Sequence, residues 1–414
     1  MTHQQDDKSV ERLAPQYLRS AEELRPCGRR SGEPGRLLLT GASGFLGRSL
    51  LKRIVKAMPD QDIFCLVRDE NSFRSGLSGM SVSGQVHPLI GDLSLPLLGL
   101  SAQQWTELGQ EVSTIVHAGA SVNHFLSLER MVDTNVSGTL ALLRLAGEHR
   151  DKRMHFISSM SILGRDHAGN RANRLPPQPP PGGYAQSKWL AECLTKICQS
   201  AGFDVSTYRV GGLGPDTETG EVNPRDWRWL TMRAALESGR WPISHGGPRW
   251  LPVDVAARMV IGNLAHHTAP AERYHLVAPS RPTWDAVFDE LVRLGHDLER
   301  VDRETWFDTM RDRARARDET AMGILALRLP RQADRENAAQ NQDTGAVPIG
   351  GVHPESWAPE HLPVTILWAA RHGLLEARAT SARWSSSSHR AGFPIPDSGR
   401  VVQKSVDTHR CHGG

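Results

Sequence analysis

The sequence predicts an α/β protein built on a doubly wound parallel sheet, with a smaller, mostly helical lobe in its C-terminal part. Three observations carry this. Apolar runs of strand length recur through the first half, several followed by segments whose apolar residues have helical spacing. The first run leads into Thr40-Gly41-Ala42-Ser43-Gly44-Phe45-Leu46-Gly47, which puts glycines at a turn from strand to helix. Tyr184 and Lys188 stand four apart in a helical segment downstream of a run that ends in serines.

Residues 1–34 contain one amphipathic segment, 10–24, and then a Gly/Arg/Pro linker. Arg36-Leu37-Leu38-Leu39-Thr40 reads as a short buried strand, and 48–56 as the helix after it. The glycines between them let the backbone turn tightly and approach a pyrophosphate. The unpaired N–H groups and dipole at the helix start favour that charge. This is the dinucleotide-binding arrangement of a Rossmann sheet, and Thr40, Gly41, Ser43, Gly44, Phe45, Leu46 and Gly47 are its candidate contacts.

The second strand, Ile63-Phe64-Cys65-Leu66-Val67, ends where such a sheet reads the adenosine ribose. Arg68 follows, with Arg74 beyond it. A guanidinium there suits a 2′-phosphate through bidentate contacts, so NADPH is the expected cofactor. In the alternative, Arg68 is solvated and Asp69 holds a 2′-hydroxyl. A third strand, 86–90, ends in Gly91-Asp92-Leu93, and a fourth, 114–117, ends in Ala118-Gly119-Ala120. Both tips border the dinucleotide: Asp92 is a candidate acceptor for the adenine amine, and Gly119 and Ala120 leave room for the cofactor to cross.

The fifth strand, Met154-His155-Phe156-Ile157, runs into Ser158-Ser159-Met160-Ser161. The proline run over 176–181 excludes helix and central strand, so it is a loop leading to the Tyr184 helix. It either shapes a substrate entrance or serves as a spacer. Residues four apart on a helix are separated by about 40° around the axis, so Tyr184 and Lys188 share a face. The ammonium would draw the phenol pKa from about 10 towards neutrality, where it serves as a general acid. Ser159 would hydrogen-bond a substrate carbonyl oxygen as negative charge develops on it. Ser158 and Ser161 are the alternatives.

These strings, together with Asn135-Val136-Ser137-Gly138-Thr139, 214–223, Asp226-Trp227 and Pro252-Val253-Asp254, resemble the extended short-chain dehydrogenase/reductase superfamily. Within it they resemble the thioester reductase domains that end nonribosomal peptide synthetases and carboxylic acid reductases, relatives of fatty acyl reductases. The resemblance is dense over about 36–260 and continues more weakly to a closing helix at 362–375. The chain departs from the pattern at Ala118 and Val210.

The resemblance implies NADPH, a Ser159/Tyr184/Lys188 site, and an acyl or peptidyl thioester on a carrier protein's phosphopantetheine, or on coenzyme A. The thioester would be reduced to an aldehyde or alcohol without an acyl-enzyme. Leu93, Ala118, Asn135 and Gly211, together with Tyr184 and Lys188, complete the candidate cofactor set. Cys193, half a turn around the helix from Tyr184, is read as packing. Two rivals use the same residues differently: an extended reductase or epimerase acting on a sugar nucleotide or a hydroxy/keto substrate, and a non-catalytic NAD(P)-sensing protein.

The 414 residues, 39% hydrophobic, suffice for two lobes. We expect a Rossmann domain over 35–250 that begins to cross into the second lobe at about 211. A substrate lobe over 251–376 and a disordered tail over 377–414 follow, with a polar loop at 335–352. Trp227, Trp229, Trp241, Trp250, Trp284 and Trp306 are read mainly as core of the smaller lobe.

With 49 Lys+Arg against 46 Asp+Glu, the net charge of +3 gives no basis for nucleic-acid binding. The arginines of 311–317 read as a solvated helix face or as a patch for an acidic carrier. Five scattered cysteines point to a reducing compartment, and the N-terminus has no apolar signal core and the chain no membrane span, so a cytoplasmic monomer is expected. The 18 histidines lack ligand spacing, and no metal is expected.

Overall fold

A computed structural model describes residues 2–29, 35–77, 85–123, 126–163, 174–244, 246–266, 273–326 and 347–375. The elements, in order, are α1 (Thr2–Glu23), β1 (Arg36–Thr40), α2 (Phe45–Ala57), β2 (Ile63–Val67), α3 (Glu70–Gly76), β3 (Val86–Ile90), α4 (Ala102–Glu111) and β4 (Val112–His117). There follow α5 (Gly138–Gly147), β5 (Arg153–Ser159), α6 (Gly183–Ser200), β6 (Val205–Val210), β7 (Leu213–Gly214), α7 (Trp227–Ser238), β8 (Arg240–Pro242), β9 (Leu251–Pro252) and α8 (Val253–His266). The chain continues through β10 (Arg273–Leu276), α9 (Trp284–Arg293), β11 (Glu299–Val301), α10 (Arg303–Arg315), α11 (Glu319–Ala326) and α12 (Leu362–Arg371).

Seven strands form one sheet in the order β10-β6-β5-β4-β1-β2-β3, every neighbouring pair parallel. The apolar strand runs follow from burial on both faces. In β1, Leu38 enters the core shared with α1, α4, α5 and α6, while Leu37 and Leu39 enter the one shared with α2 and α8. Strand order reverses between β1 and β4, and the strand ends at such a point open onto the crevice where α/β sheets take ligands.

The sheet draws on residues beyond the first 250. α8 packs on α2, and β10 pairs with β6 at the sheet edge, so sheet membership runs to Leu276. A third core joins residues from Val222 to Leu375. Trp229, Trp241, Trp250, Trp284 and Trp306 are buried there, Trp227 packs against it, and Trp357 is a further buried member.

The N-terminal segment is a longer helix than its periodicity shows. Val10, Ala14 and Ala21 are buried, and α1 lies on α6 and α5. Tyr17 Oη lies 3.1 Å from Ser137 Oγ, and Glu129 accepts from Arg12 at 3.0 Å and from Ser9. The expected polar loop at 335–352 falls mostly outside the described residues. Its last part closes in a bridge between Ile349 and Val352. The expected tail over 377–414 also lies outside them. No helix among the described residues is long and apolar enough to cross a membrane.

Candidate active site

The turn from β1 to α2 is closed too tightly for side chains at two of its glycines. Gly41 has φ +75°, and a Cβ on it would lie 2.6 Å from Gly119 N; one on Gly47 would lie 1.9 Å from Gly41 O. Gly44, the N-cap of α2, offers no side-chain cap. The first amides of α2 are therefore left for an anion, as a pyrophosphate cradle requires. Ser43 and Gly44 are exposed at this turn, and Phe45 and Leu46 are half-buried in the first turn of the helix. The helix starts at Phe45, three residues earlier than its apolar spacing suggests, because Gly44 N and Arg48 N already make turn bonds to Gly41 O and Gly44 O.

Thr40 and Asn135, expected as cofactor contacts, have side chains hydrogen-bonded within the protein. Gly119 N donates to Thr40 Oγ1 at 3.0 Å, and Thr40 Oγ1 lies 2.7 Å from His117 Nδ1. Thr139 Oγ1 donates to Asn135 O at 2.7 Å and lies 3.1 Å from His117 Nε2. Because the Thr139 proton is already used, His117 carries its proton on Nε2 and accepts from Thr40 on Nδ1. Burial, with the nearby Lys188 charge, holds the His117 pKa well below the usual range.

The Asn135 amide accepts from Ser121 N at 2.7 Å and donates to Ser121 O at 3.0 Å and to Ser187 Oγ at 2.9 Å. It stands on a π-helical turn, Asp133–Ser137. These bonds join the tips of β1 and β4 to α5 and α6 from behind. Of the other candidates, Leu93 crowds Gly119, where a Cβ would lie 2.6 Å from Leu93 Cδ1. Ala118 and Ala120 are half-buried at the β4 tip, and Gly211 N donates to Leu276 O at 2.9 Å.

At the β2 tip the two alternatives separate. The Asp69 carboxylate accepts from Ser72 N at 2.5 Å as the N-cap of α3, while Arg68 is exposed. Asp92 Oδ1 accepts from Ser94 N at 2.8 Å and from Ser94 Oγ at 2.7 Å. Burial opposes ionisation of Asp92, but the Ser94 bonds and the Arg68 charge prevail and lower its pKa. Arg74 is exposed and paired with Glu70 at 2.7 Å within α3, an ion pair worth little in water.

At the end of β5 the three serines take different directions. Ser158 Oγ donates inward to Glu192 Oε2 at 2.8 Å. Ser159 Oγ accepts from Ser161 N at 3.2 Å and shares a hydrogen bond with the Tyr184 hydroxyl. Lys188 Nζ donates to Ile157 O at 2.6 Å and lies 4.3 Å from the Phe156 ring centroid.

The expectation that Lys188 draws the phenol towards neutrality is not met. Burial raises the Tyr184 pKa, and the Ser159 bond offsets this only in part. Lys188 is itself lowered to about 7 by burial, with Glu192 pulling the other way. Cys193 packs against the α6-side core, and burial pushes its thiol up to about 12, far from a nucleophilic thiolate.

Two buried residues escaped the motif pattern. Glu192 follows Lys188 by one helical turn, so spacing alone could have flagged it; His117 lies within a recognised strand but its partners are distant in sequence.

The model of the Male sterility protein family matches residues 39–260. A linear gramicidin synthase of Brevibacillus parabrevis is 31% identical over 306 residues, covering 69% of this chain and 6% of that protein. Aldehyde reductase lnaA of Aspergillus flavus is 31% identical over 271 residues, 60% of this chain and 26% of that one. The chain thus spans only a fraction of these curated relatives. The terminal R domain from the myxalamid PKS-NRPS biosynthetic pathway superposes with a TM-score of 0.71 at 25% identity, covering 88% of this chain and 99% of that one. With a parallel seven-stranded sheet, a glycine-rich turn between β1 and α2 and a family match over more than half its length, this chain belongs to the Male sterility protein family, as a thioester-reductase-type extended short-chain dehydrogenase/reductase.

Proposed function

We propose that the protein reduces acyl or peptidyl thioesters, held on a carrier protein's phosphopantetheine or on coenzyme A, with NADPH as reductant and an aldehyde as product. The observation that carries this is the Tyr184 hydroxyl bonded to Ser159 at the same end of the parallel sheet as the glycine turn, with β4 between them. The relatives named as a gramicidin synthase, an aldehyde reductase and a terminal R domain support the substrate class.

The Gly41–Gly47 turn and the uncapped start of α2 fit a dinucleotide's pyrophosphate. Arg68, with Asp69 committed to the α3 cap, favours a 2′-phosphate over a 2′-hydroxyl. Arg74, Asp92, Leu93, Ala118, Gly119, Ala120 and Gly211 line the remaining path in this reading. The elements of the third core, from Val222 to Leu375, form the lobe that covers the substrate.

When bound, the reduced nicotinamide supplies a hydride to the thioester carbonyl carbon. Ser159 hydrogen-bonds the carbonyl oxygen and Tyr184 gives it the phenol proton, forming a hemithioacetal. The raised pKa of Tyr184 keeps that proton in place at neutral pH. Collapse breaks the C–S bond, returns the hydroxyl proton to Tyr184 and releases the aldehyde; the departing sulfur takes a proton from solvent. No residue forms a covalent bond to the acyl group.

The test follows NADPH oxidation with acyl thioesters of coenzyme A, pantetheine and carrier proteins. Thioester-dependent oxidation is expected. An intact, NADPH-binding protein that is inert to all of them, or that turns over a sugar nucleotide with retained NAD, contradicts the reading.

A further inference from the structure

Glu192 lies on α6 one turn beyond Lys188 and two turns beyond Tyr184, so the three side chains share a helix face. Each grips a different residue of the β5 end. Tyr184 bonds the Ser159 hydroxyl, Lys188 Nζ donates to Ile157 O at 2.6 Å, and Ser158 Oγ donates to Glu192 Oε2 at 2.8 Å. Three consecutive strand residues are thereby tied to one face of one helix.

On its other side Glu192 Oε1 accepts from Arg209 Nη2 at 2.5 Å and Nε at 3.0 Å, with Arg273 Nε at 3.3 Å. Glu192 and Arg209 are both 0% exposed, so their charges are compensated by each other and not by water. Arg209 Nη2 also donates to Arg174 O at 3.1 Å, and Trp189 Nε1 to Pro176 O at 2.9 Å. The loop that enters α6 is thus held at two points by the same assembly.

We propose that Glu192 is a positioning residue for the reaction: its carboxylate fixes Ser158, and through it Ser159, against Tyr184, and presents a compensating negative charge to Lys188. This rests on the proton-transfer reading of Tyr184, Ser159 and Lys188. Among the described residues, Glu192 of α6 and His117 of β4 interact electrostatically with Lys188, with Tyr184 on the same face of α6; behind Glu192 stand Arg209 of β6 and Arg273 of β10, and His275 of β10 lies against Arg209. Of these described residues, Glu192 alone is a carboxylate. Without its charge, Arg209 and Arg273 stand uncompensated behind the Lys188 ammonium and disfavour it.

The experiment titrates Lys188 by ¹³C NMR of labelled lysine, assigned through its loss in Lys188→Arg, in the full chain, in Glu192→Gln and in Ser158→Ala. It also measures kcat and the KM for NADPH. In Glu192→Gln the midpoint falls by about one pH unit or more. In both variants kcat falls by on the order of tenfold while the NADPH KM stays near that of the parent. Ser158→Ala keeps the parent midpoint.

An unchanged midpoint in Glu192→Gln, or an unchanged kcat in both variants, overturns the proposal. Should Glu192→Gln fail to fold, Glu192→Asp keeps the charge but shortens the reach. A lowered kcat with the parent midpoint is then expected, and full activity overturns the positioning role. A parent protein inert to every thioester sinks the reductase reading instead, and leaves the Lys188 titration still readable.

Discussion

Tyr184 and Lys188 reach from α6 to the end of β5, where Ser159 stands, and each of the two has a measurable signature. Tyr184→Phe keeps the ring and removes the proton, so it should lower kcat by roughly 10²–10⁴-fold while NADPH binding persists. Steady-state kinetics beside a fluorescence titration of NADPH separates the two effects. Lys188 gives a stability signature with a definite sign. Its folded-state pKa is lowered to about 7 from 10.5, so above pH 7 the unfolded chain binds more protons than the folded one. Stability therefore rises with pH between about 7 and 9, by up to about 1.4 kcal/mol per pH unit. Lys188→Met should flatten that rise in urea titrations between pH 7 and 8.5, below the range where the buried cysteines begin to oppose it. A parallel pH dependence in the two proteins would show that Lys188 is not the group responsible.

At the scale of elements, the strand-to-helix turns decide what the sheet end can bind. At the β2 tip the acid and the base have separate work: Asp69 caps α3 through Ser72 N, and Arg68 is left exposed near Asp92. Arg68→Ala should shift the kcat/KM ratio from NADPH towards NADH by on the order of tenfold or more, as loss of a guanidinium–phosphate contact does. Asp69→Ala should leave that ratio in place and cost about 1 kcal/mol of stability, the usual cost of a lost N-cap.

The five principal strands, the glycine turn and the α6 start were legible because each is a local pattern of apolar period and turn chemistry. The direction of the Tyr184 pKa was not, because it depends on burial, and Lys188 turns to the Ile157 carbonyl. Nor were the inward roles of Thr40 and Asn135, which are set by His117 and Ser187, partners far away in sequence. Helical spacing showed that Tyr184 and Lys188 share a face, but not what that face meets.

Across the whole molecule, the segment 214–223, legible in the sequence as a family string, ties separate parts together. Arg48 and Arg53 of α2 bond Glu221 at 2.5 Å and Asp216 at 3.2 Å, and Thr217 Oγ1 donates to Asp254 of α8 at 2.9 Å. A Cβ on Gly220 would lie 2.2 Å from Val364 O of α12. The helix after the glycine turn is thus joined through one loop to the lobe assigned to the substrate. The arginines of α10 give less than their number suggests: Arg311 pairs with Asp308, Arg313 with Asp318 at 2.5 Å, and Arg315 with Asp312 at 2.7 Å. They form a charge-matched face, which weakens the case for a cationic carrier patch there.

α1 acts on the same large scale, backing the helix that carries Tyr184. Removing residues 1–24 uncovers the apolar surface around Val10, Ala14 and Ala21 and should lower Tm by about 5 °C or more, read by differential scanning calorimetry. The central claim is hydride transfer to a thioester carbonyl carbon, and isotope transfer tests it most directly. NADPH deuterated at the transferring C4 position is incubated with the protein and an acyl thioester, and the product is analysed by mass spectrometry. The account predicts an aldehyde carrying one deuterium on its carbonyl carbon, with one free thiol released for each NADPH oxidised. An aldehyde without the label, or thiol release without NADPH oxidation, would contradict it.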